Sequence, residues 1–327
     1  MTTVDSRPTV HLPARDIPVP SSLSPEAQAM LAMPRLEISG YPPLADKDAW
    51  RDQIAQRNEA LLAMMSGRPP AAGTEVDEIE ADGVRVYVIT PPGVPDDGRV
   101  YLDIHGGALI LGGGEVCRAM GTGTAARVGA RTWAVDYRMP PDHPYPAPLD
   151  DCVTAYRALL RDHAPEQIIV GGASAGGNLA AALLLRARDE GLPLPAAAVL
   201  ATPEADLTES GDTFQTNLGL DPVLRDSLMP ANLLYAAGHD LADPYVSPLF
   251  GDFTKGFPPT ILTTGTRDLF LSNTVRLHRA LRAAGVPAEL HVLEAAGHGG
   301  FFGMAPEDRD LDREIRRFVT LHWSAAA

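Results

Sequence analysis

The stretch Ile168–Gly177, IIVGGASAGG, decides the fold of this chain. Its β-branched start predicts a buried strand, and the Ala- and Leu-rich residues 179–185 that follow predict a buried helix. Every residue from Gly171 to Gly177 except Ser174 is Gly or Ala, which suits a sharp turn where a strand and a helix lie close together. Residues 168–185 carry no charge and reach the length of a membrane helix, but the glycines in their middle favour strand, turn and helix.

The same alternation of strand and helix covers most of the chain. The dipeptide Asp82-Gly83 predicts a hairpin between the first two strands, which are therefore antiparallel. Helices separate the later strands, and strands connected in this way run parallel. We therefore predict an α/β fold with an eight-stranded, mostly parallel sheet flanked by helices. The predicted strands are Glu75–Glu80, Val84–Thr90, Val100–Ile104, Thr132–Asp136, Gln167–Gly171, Ala197–Ala201, Thr260–Thr264 and Glu289–Leu293. The predicted helices of this region are Glu115–Val128, Leu149–Asp162, Ala175–Glu190, Asn273–Ala284 and Glu307–His322.

Two regions fall outside this alternation. The first 45 residues contain eight prolines, which restricts helices there to a short piece at Pro25–Met33, and a longer helix is predicted over Asp46–Met65. Residues 204–249 contain no predicted strand, and a long insertion in a compact domain is usually functional. We predict one α/β domain over residues 74–327, with a helical cap formed by the insertion 204–249 and the N-terminal residues 1–73.

The overall composition excludes several classes of function. The 327 residues include 27 basic and 42 acidic side chains, a net charge of −15, which argues against nucleic acid or an anionic membrane surface as the main partner. The two cysteines, Cys117 and Cys152, rule out a disulfide framework, argue against a thiolate zinc site and are compatible with a reducing compartment. The segment Met1–Pro20 lacks the apolar core of a secretory signal. We expect a cytoplasmic location without membrane attachment.

Ser174 is the first candidate for chemistry. It is the central residue of Gly172-Ala173-Ser174-Ala175-Gly176, a G-x-S-x-G pattern in the strand–turn–helix context that this pattern requires. The turn would present the hydroxyl at the C-terminal edge of the sheet. It would also place the Ala175 N–H at the helix N-terminus, where a developing anion is favoured. A glycine-rich turn that binds phosphate is the alternative, and the context favours a nucleophile.

A second motif, His105-Gly106-Gly107-Ala108, directly follows the predicted strand Val100–Ile104. Acyl transfer develops an oxyanion that backbone N–H groups stabilise, and glycines allow the chain to turn these groups inward. We predict an oxyanion hole from the loop residues Gly106, Gly107 and Ala108, together with Ala175. A dinucleotide-binding loop is the alternative, but no G-x-G-x-x-G fits this position.

A serine nucleophile requires a base, and the base requires a group that orients it. His298 lies in a glycine-rich loop just after the last predicted strand, and Asp268 follows the penultimate one. Ligands of open α/β sheets bind at the C-terminal edge of the strands, so we predict a triad of Ser174, His298 and Asp268. The rivals are weaker: His105 belongs to the oxyanion loop, and the acids Asp240 and Asp243 do not follow a strand.

Taken together, these segments resemble the bacterial hormone-sensitive-lipase-like (family IV) carboxylesterases of the α/β-hydrolase superfamily, over about residues 75–320. The matching segments are His105–Ala108, Val135–Ala147, Gly172–Asn178, Asp243–Leu249 and the tail through Asp268 and His298. The resemblance implies an eight-stranded hydrolase fold with a mostly helical cap, the Ser174–His298–Asp268 triad, and hydrolysis of carboxylic esters without a cofactor. Three positions depart from the family pattern: Ala108 replaces the usual Gly, Ala173 the usual Asp and Asp142 the usual Glu.

This machinery predicts a serine carboxylester hydrolase that forms an acyl-enzyme and needs neither cofactor nor metal. Short- to medium-chain acyl esters are the expected small-molecule substrates. A lactone hydrolase, a deacetylase of a small natural product and an acyltransferase would use the same triad, whereas a non-catalytic ligand-binding homologue would normally lack one member. The exposed last strand, Glu289–Leu293, offers an edge for a homodimer. Apolar cap residues either line an acyl pocket or pack the cap onto the domain: Met30, Met33, Met64, Met65, Leu233, Leu234 and Tyr235.

Overall fold

A computed structural model describes residues 8–33, 40–67 and 69–324. The predicted eight-stranded sheet is confirmed, with the strand order β1-β2-β4-β3-β5-β6-β7-β8. Each strand ends within two residues of its predicted bounds. The strands are β1 (Glu75–Ala81), β2 (Val84–Thr90), β3 (Val100–Ile104), β4 (Thr132–Asp136), β5 (Ile168–Ala173), β6 (Ala197–Ala201), β7 (Thr260–Gly265) and β8 (Ala288–Leu293).

The predicted hairpin joins β1 and β2. Its two turn residues, Asp82 and Gly83, have φ angles of 51° and 87°, and positive φ at both central positions is the geometry of a type I′ turn, which matches the twist of paired strands. Strand β2 is antiparallel to β1 and also to β4. The pairs from β4 and β3 through β8 are all parallel, as the intervening helices predict.

Helices cover both faces of the sheet. They begin and end close to the predicted positions; the second one, for example, starts at Lys47 because Asp46 is its N-cap and accepts a hydrogen bond from the Ala49 N–H at 3.0 Å. The helices among the described residues are α1 (Pro25–Leu31), α2 (Lys47–Met65), α3 (Glu115–Val128), α4 (Ala147–Asp162), α5 (Ala175–Asp189), α6 (Thr213–Thr216), α7 (Met229–Ala236), α8 (Leu271–Ala283) and α9 (Pro306–Ser324). None of them is long and apolar enough to cross a membrane.

Alternate residues of the central strands pack into two hydrophobic cores, one on each face of the sheet. Val100 and Leu102 of β3 face α4, α5 and α8 in the larger core. Tyr101, between them, faces α3 and α9 in the smaller one. This alternation follows from the pleat of a strand that is buried on both faces. The result is a rigid three-layer frame that holds the ends of β3, β5, β6, β7 and β8 at one edge.

The N-terminal helices and the insertion 204–249, which fall outside the alternation of strand and helix, pack at that edge and beside it. Trp50 of α2 is fully buried in a cluster with Ile110, Ala231 and Leu234, so α2, α7 and the loop that follows β3 pack together. Helix α1 lies elsewhere: Ser24, its N-cap, donates its hydroxyl to Glu307 at the start of α9 at 2.7 Å.

Candidate active site

Ser174 lies in a strained turn between β5 and α5. Its φ of 59° is uncommon for a residue with a side chain and is typical of functional sites. The turn closes tightly, because a Cβ at Gly172 would lie 2.3 Å from the Gly176 carbonyl oxygen and one at Gly176 would lie 1.9 Å from that of Ile104. Small residues are therefore a steric requirement here, and the Ser174 side chain remains partly accessible to solvent.

The loop after β3 lies directly beside this turn. A Cβ at Gly106 would be 2.8 Å from the Ala173 carbonyl oxygen and 3.3 Å from Ser174 Cβ. Within the described part of the chain, the backbone N–H groups of Gly107, Ala108 and Ala175 donate to no protein acceptor. Such unpaired donors next to a hydroxyl are the arrangement that stabilises a developing oxyanion. The predicted oxyanion residues are thus brought together with Ser174.

Ala108 adopts a left-handed backbone conformation in this loop. Its φ is 52°, a region that costs a residue with a Cβ about 1–2 kcal/mol relative to glycine. The Ala108 methyl group packs against two apolar clusters, one around Trp50 and one around Phe270. These contacts hold the strained loop in place from the side of the insertion.

His298 and Asp268 form a buried pair at the ends of β8 and β7. His298 Nδ1 lies 3.1 Å from Asp268 Oδ1, and Asp268 is fully buried. The carboxylate also accepts hydrogen bonds from the Phe270 N–H at 2.9 Å and from the Thr264 hydroxyl at 2.8 Å. Because Nδ1 faces a carboxylate, it carries the proton, which leaves Nε2 free to accept one.

Charges around His298 control its protonation. Burial by itself lowers the pKa of His298, but the charge and hydrogen bond of Asp268, with the charges of Asp221 and Glu204, outweigh burial and raise that pKa above its ordinary value. Burial by itself raises the pKa of Asp268, but His298 and the hydroxyl and N–H donors outweigh it and lower that pKa. The pair is therefore suited to stabilise a positive charge on the imidazole.

Thr202 connects the His298–Asp268 pair to the Ser174 turn. The Ser174 N–H donates to the Ala201 carbonyl oxygen at 2.9 Å, and the next residue, Thr202, donates its hydroxyl to Asp268 Oδ2 and lies 3.0 Å from His298 Nδ1. All three predicted triad residues thus lie at one rim of the sheet. Among the described residues, the Ser174 hydroxyl has no hydrogen bond to His298; such catalytic bonds often tighten only when substrate is bound.

The rival residues lie in other environments. His105 is buried, directs Nδ1 to the Gly106 carbonyl oxygen at 2.8 Å and stacks on Tyr137 at 4.1 Å between ring centroids, and burial lowers its pKa. Asp240 and Asp243 accept hydrogen bonds from the backbone N–H groups two residues further on. Each of these contacts is made with neighbouring backbone or with the Tyr137 ring.

Three residues at the rim were missed by the sequence analysis. Thr202 and Glu204 lie one and three residues after the end of β6, so the rule that located Asp268 and His298 after strand ends would also have found them. Glu204 donates its N–H to the Ser174 carbonyl oxygen at 3.1 Å, and burial raises the pKa of its carboxyl group to about 8. Asp221 lies in the middle of the insertion and has no local signal.

One group of side chains has the composition of a metal site. His105, Cys117 and Asp136 each place a possible ligand atom within 4.8 Å of the others. However, Asp136 already accepts the Gly114 N–H and pairs with Arg85, and burial raises the pKa of the Cys117 thiol well above its usual value. Metals bind the thiolate, so we assign this group to packing behind the oxyanion loop.

The chain belongs to the α/β-hydrolase fold family, whose model matches residues 101–302. Two relatives are similar over about two thirds of its length. An acetyl-hydrolase from Streptomyces hygroscopicus is 36% identical over 223 residues, which are 68% of this chain and 72% of the relative. An esterase from Acinetobacter venetianus is 34% identical over 229 residues, which are 68% of this chain and 75% of the relative.

Solved structures of esterases match over nearly the whole chain. One esterase crystal structure superposes with a TM-score of 0.87 at 36% identity and covers 96% of this chain and 99% of its own. A second, described as an esterase from the bacterial hormone-sensitive lipase family, has a TM-score of 0.78 at 31% identity. It covers 92% of this chain and 99% of its own. The predicted fold and the predicted resemblance to hormone-sensitive-lipase-like esterases are both confirmed.

Proposed function

We propose that this chain hydrolyses small carboxylic esters with Ser174 as nucleophile, His298 as general base and Asp268 as the group that orients the base. The chain is a carboxylic ester hydrolase of the α/β-hydrolase family. The observation that carries the residue assignment is the buried His298–Asp268 pair, 3.1 Å apart, at the rim that also holds the Ser174 turn.

In the first half of the reaction, His298 Nε2 accepts the proton of the Ser174 hydroxyl while its oxygen attacks the acyl carbon. Asp268 keeps the proton of the imidazole on Nδ1 and stabilises the positive charge that the ring acquires. The protonated ring then donates to the departing alcohol oxygen. Because the pKa of His298 is raised, activity falls as the pH drops through that value and the base becomes protonated.

The N–H groups of Gly107, Ala108 and Ala175 hold the oxyanion, together with the turn that Gly106 allows. Losing one donor of this type costs about 3–4 kcal/mol of transition-state stabilisation. In the second half, a water molecule takes the place of the alcohol: His298 accepts its proton, the oxygen attacks the acyl-enzyme, and Ser174 recovers its proton as the acid leaves.

Short- to medium-chain acyl groups fit the surroundings of the oxyanion loop. Large side chains fill the space next to Ala108: Phe214, Leu228 and Phe270 form a buried cluster there, and the Phe214 and Phe270 rings are 5.8 Å apart. Such a wall limits the length of a chain that extends past the loop. Of the apolar cap residues that either line an acyl pocket or pack the cap, Met33, Met64 and Leu233 are exposed and Tyr235 belongs to the main core.

The deciding experiment is a panel of acetate to dodecanoate esters, assayed with the wild type and Ser174→Ala. We expect the wild type to prefer the shorter esters and Ser174→Ala to lose at least about 10³-fold in kcat. A control variant, Asp243→Asn, should retain the wild-type rates. Wild-type turnover by Ser174→Ala would overturn the residue assignment, and a preference for dodecanoate would overturn the chain-length assignment.

Three further parts of the proposal concern the whole molecule. The insertion 204–249 and α2 form a cap over the site, supported by the Trp50 cluster between α2 and α7. A homodimer would pair the edge strand β8, where Val292 is exposed. A cytoplasmic location is consistent with two buried free thiols, Cys117 and Cys152.

A further inference from the structure

Asp221, in the insertion between β6 and β7, connects the two loops that hold the acid and the base. Its side chain is fully buried. Oxygen Oδ2 accepts the Leu269 N–H at 2.8 Å and the His298 N–H at 3.1 Å. Leu269 directly follows Asp268, so one carboxylate oxygen joins loops that lie 30 residues apart in the sequence.

The other oxygen of Asp221, Oδ1, accepts hydrogen bonds within its own turn. Oδ1 accepts the N–H groups of Val223 at 2.8 Å and Leu224 at 3.1 Å, which is an ordinary turn contact of an aspartate. A turn of this kind needs only Oδ1. The two contacts of Oδ2 are made with distant segments and have no role in the turn itself.

Gly297, directly before His298, leaves room for the Asp221 turn. A Cβ at Gly297 would lie 2.3 Å from Cδ of Pro222 and 3.0 Å from Oδ1 of Asp221. Any larger residue at position 297 would push the Asp221 turn away from the loop of the base. Asn217 of the same insertion reinforces the link, since its amide group donates to the Asp268 carbonyl oxygen at 2.8 Å.

Among the described residues, the four hydrogen-bond partners of Asp221 are all N–H donors, and such donors favour the charged form of a carboxyl group. Burial and the charge of Asp268 nevertheless leave the pKa of Asp221 above its ordinary value, although the charge of His298 and the backbone N–H donors work against that rise. The acids that act on His298 are Asp268, Asp221 and Glu204. Asp221 thus adds a second negative charge near the ring, on the backbone side of its loop.

We propose that Asp221 is a positioning residue, by which the insertion holds the loops of Asp268 and His298 at their working separation and adds charge that favours the protonated imidazole. The inference rests on the triad of the proposed function. A displacement of about 1 Å in a catalytic group can cost about a hundredfold in rate, so a bridge between two catalytic loops has a direct effect on turnover.

The test is Asp221→Asn, which keeps the shape of the side chain, removes the charge and leaves two of the four N–H groups facing an NH₂ group. We expect kcat to fall about ten- to a hundredfold, KM to stay within about twofold, and the acid limb of the kcat/KM profile to move to lower pH, because the pKa of His298 falls. Asp151→Asn is the control: Asp151 is also buried and accepts the Arg138 N–H at 2.8 Å, and its loss should lower stability without moving kcat or the profile.

A second variant, Gly297→Ala, retains the charge of Asp221 and disturbs only the separation between the Asp221 turn and the loop of His298. Its methyl group must displace Pro222 and Asp221, so kcat should fall while the acid limb stays closer to the wild-type position. Wild-type kcat and an unchanged profile in a folded Asp221→Asn would overturn the inference. If Asp221→Asn does not fold, wild-type kcat in Gly297→Ala would overturn it.

The two proposals fail in different ways. A fully active Ser174→Ala removes the triad itself, whatever the variants at Asp221 do. An inactive Ser174→Ala combined with normal turnover in both Asp221→Asn and Gly297→Ala leaves the triad in place and removes only the positioning role.

Discussion

The Ser174 turn and the His298–Asp268 pair lie at the same rim, but they are built in opposite ways. The turn is formed by residues within the seven positions from Gly171 to Gly177, whose small size lets β5 and α5 approach each other. The His298–Asp268 pair is held by Thr202 from the end of β6 and by Asp221 from the insertion, 66 and 77 positions away from the residues that they bind.

Because of this difference, substitutions in the turn and substitutions around the pair should have different effects. The turn depends on backbone sterics, so its failure unfolds the surrounding structure. The pair depends on hydrogen bonds to buried groups, so we expect its failure to change turnover more than it changes the fold. Substitutions at the two places should therefore separate stability from turnover.

The largest expected effect is that of Asp268→Asn. The amide group no longer holds the imidazole proton on Nδ1, so His298 loses the tautomer that frees Nε2, and we expect kcat to fall by about 10⁴ with the fold retained. Steady-state kinetics and circular dichroism measure the two quantities. The rival acid Asp240 provides the control variant Asp240→Asn, and a loss of less than tenfold in Asp268→Asn would place the orienting acid elsewhere.

Gly176→Ala tests the turn. Its new methyl group would lie 1.9 Å from the Ile104 carbonyl oxygen, so β3 and α5 must separate, and we expect a loss of about 3 kcal/mol in the free energy of unfolding. Gly123→Ala in α3 is the matched control, because nothing lies within 4 Å of its new Cβ and alanine favours a helix by about 0.5–1 kcal/mol. Equal stability of the two variants in urea would show that the turn accommodates a methyl group at position 176 without strain.

Thr202→Val removes one hydroxyl from the pair and keeps the shape of the side chain. Asp268 Oδ2 still accepts the Thr264 hydroxyl, so we expect kcat to fall about tenfold, which corresponds to about 1.4 kcal/mol. Thr260→Val is the control, since Thr260 is also buried, but donates to the Pro258 carbonyl oxygen at the opposite end of β7. A larger loss of kcat in the control than in Thr202→Val would contradict a role for Thr202 at the rim.

Ala108→Gly gives the smallest effect. The left-handed φ of 52° at this position costs glycine nothing, so the substitution should raise the free energy of unfolding by about 1 kcal/mol. The oxyanion N–H remains, and kcat should change less than tenfold. A thermal melt measures the stability, and a lower melting temperature would show that packing of the methyl group outweighs the backbone strain.

Most of the fold could be predicted because its signals are local. The strand β5, the glycine turn and α5 follow from Ile168–Gly177 alone, and Asp82-Gly83 identifies the hairpin. The convergence of Ser174, Asp268 and His298 on one rim could also be predicted, since Asp268 and His298 lie in the loops that follow β7 and β8, and strand ends converge in a parallel sheet. Asp221 could not be predicted, because it lies in an insertion whose path over the sheet depends on contacts such as Pro222 with Gly297.

The amino-acid sequence by itself determined the order of strands and helices, the strained turn at Ser174 and the sheet edge that holds Ser174, Asp268 and His298, because steric limits and hydrophobic periodicity act over a few residues. Only the tertiary structure decided that α1 packs on α9, that Thr202 donates to Asp268, and that one oxygen of Asp221 joins the loops of Asp268 and His298. These contacts connect residues far apart in the chain, and hydrogen-bond geometry between them exists only after the sheet has assembled.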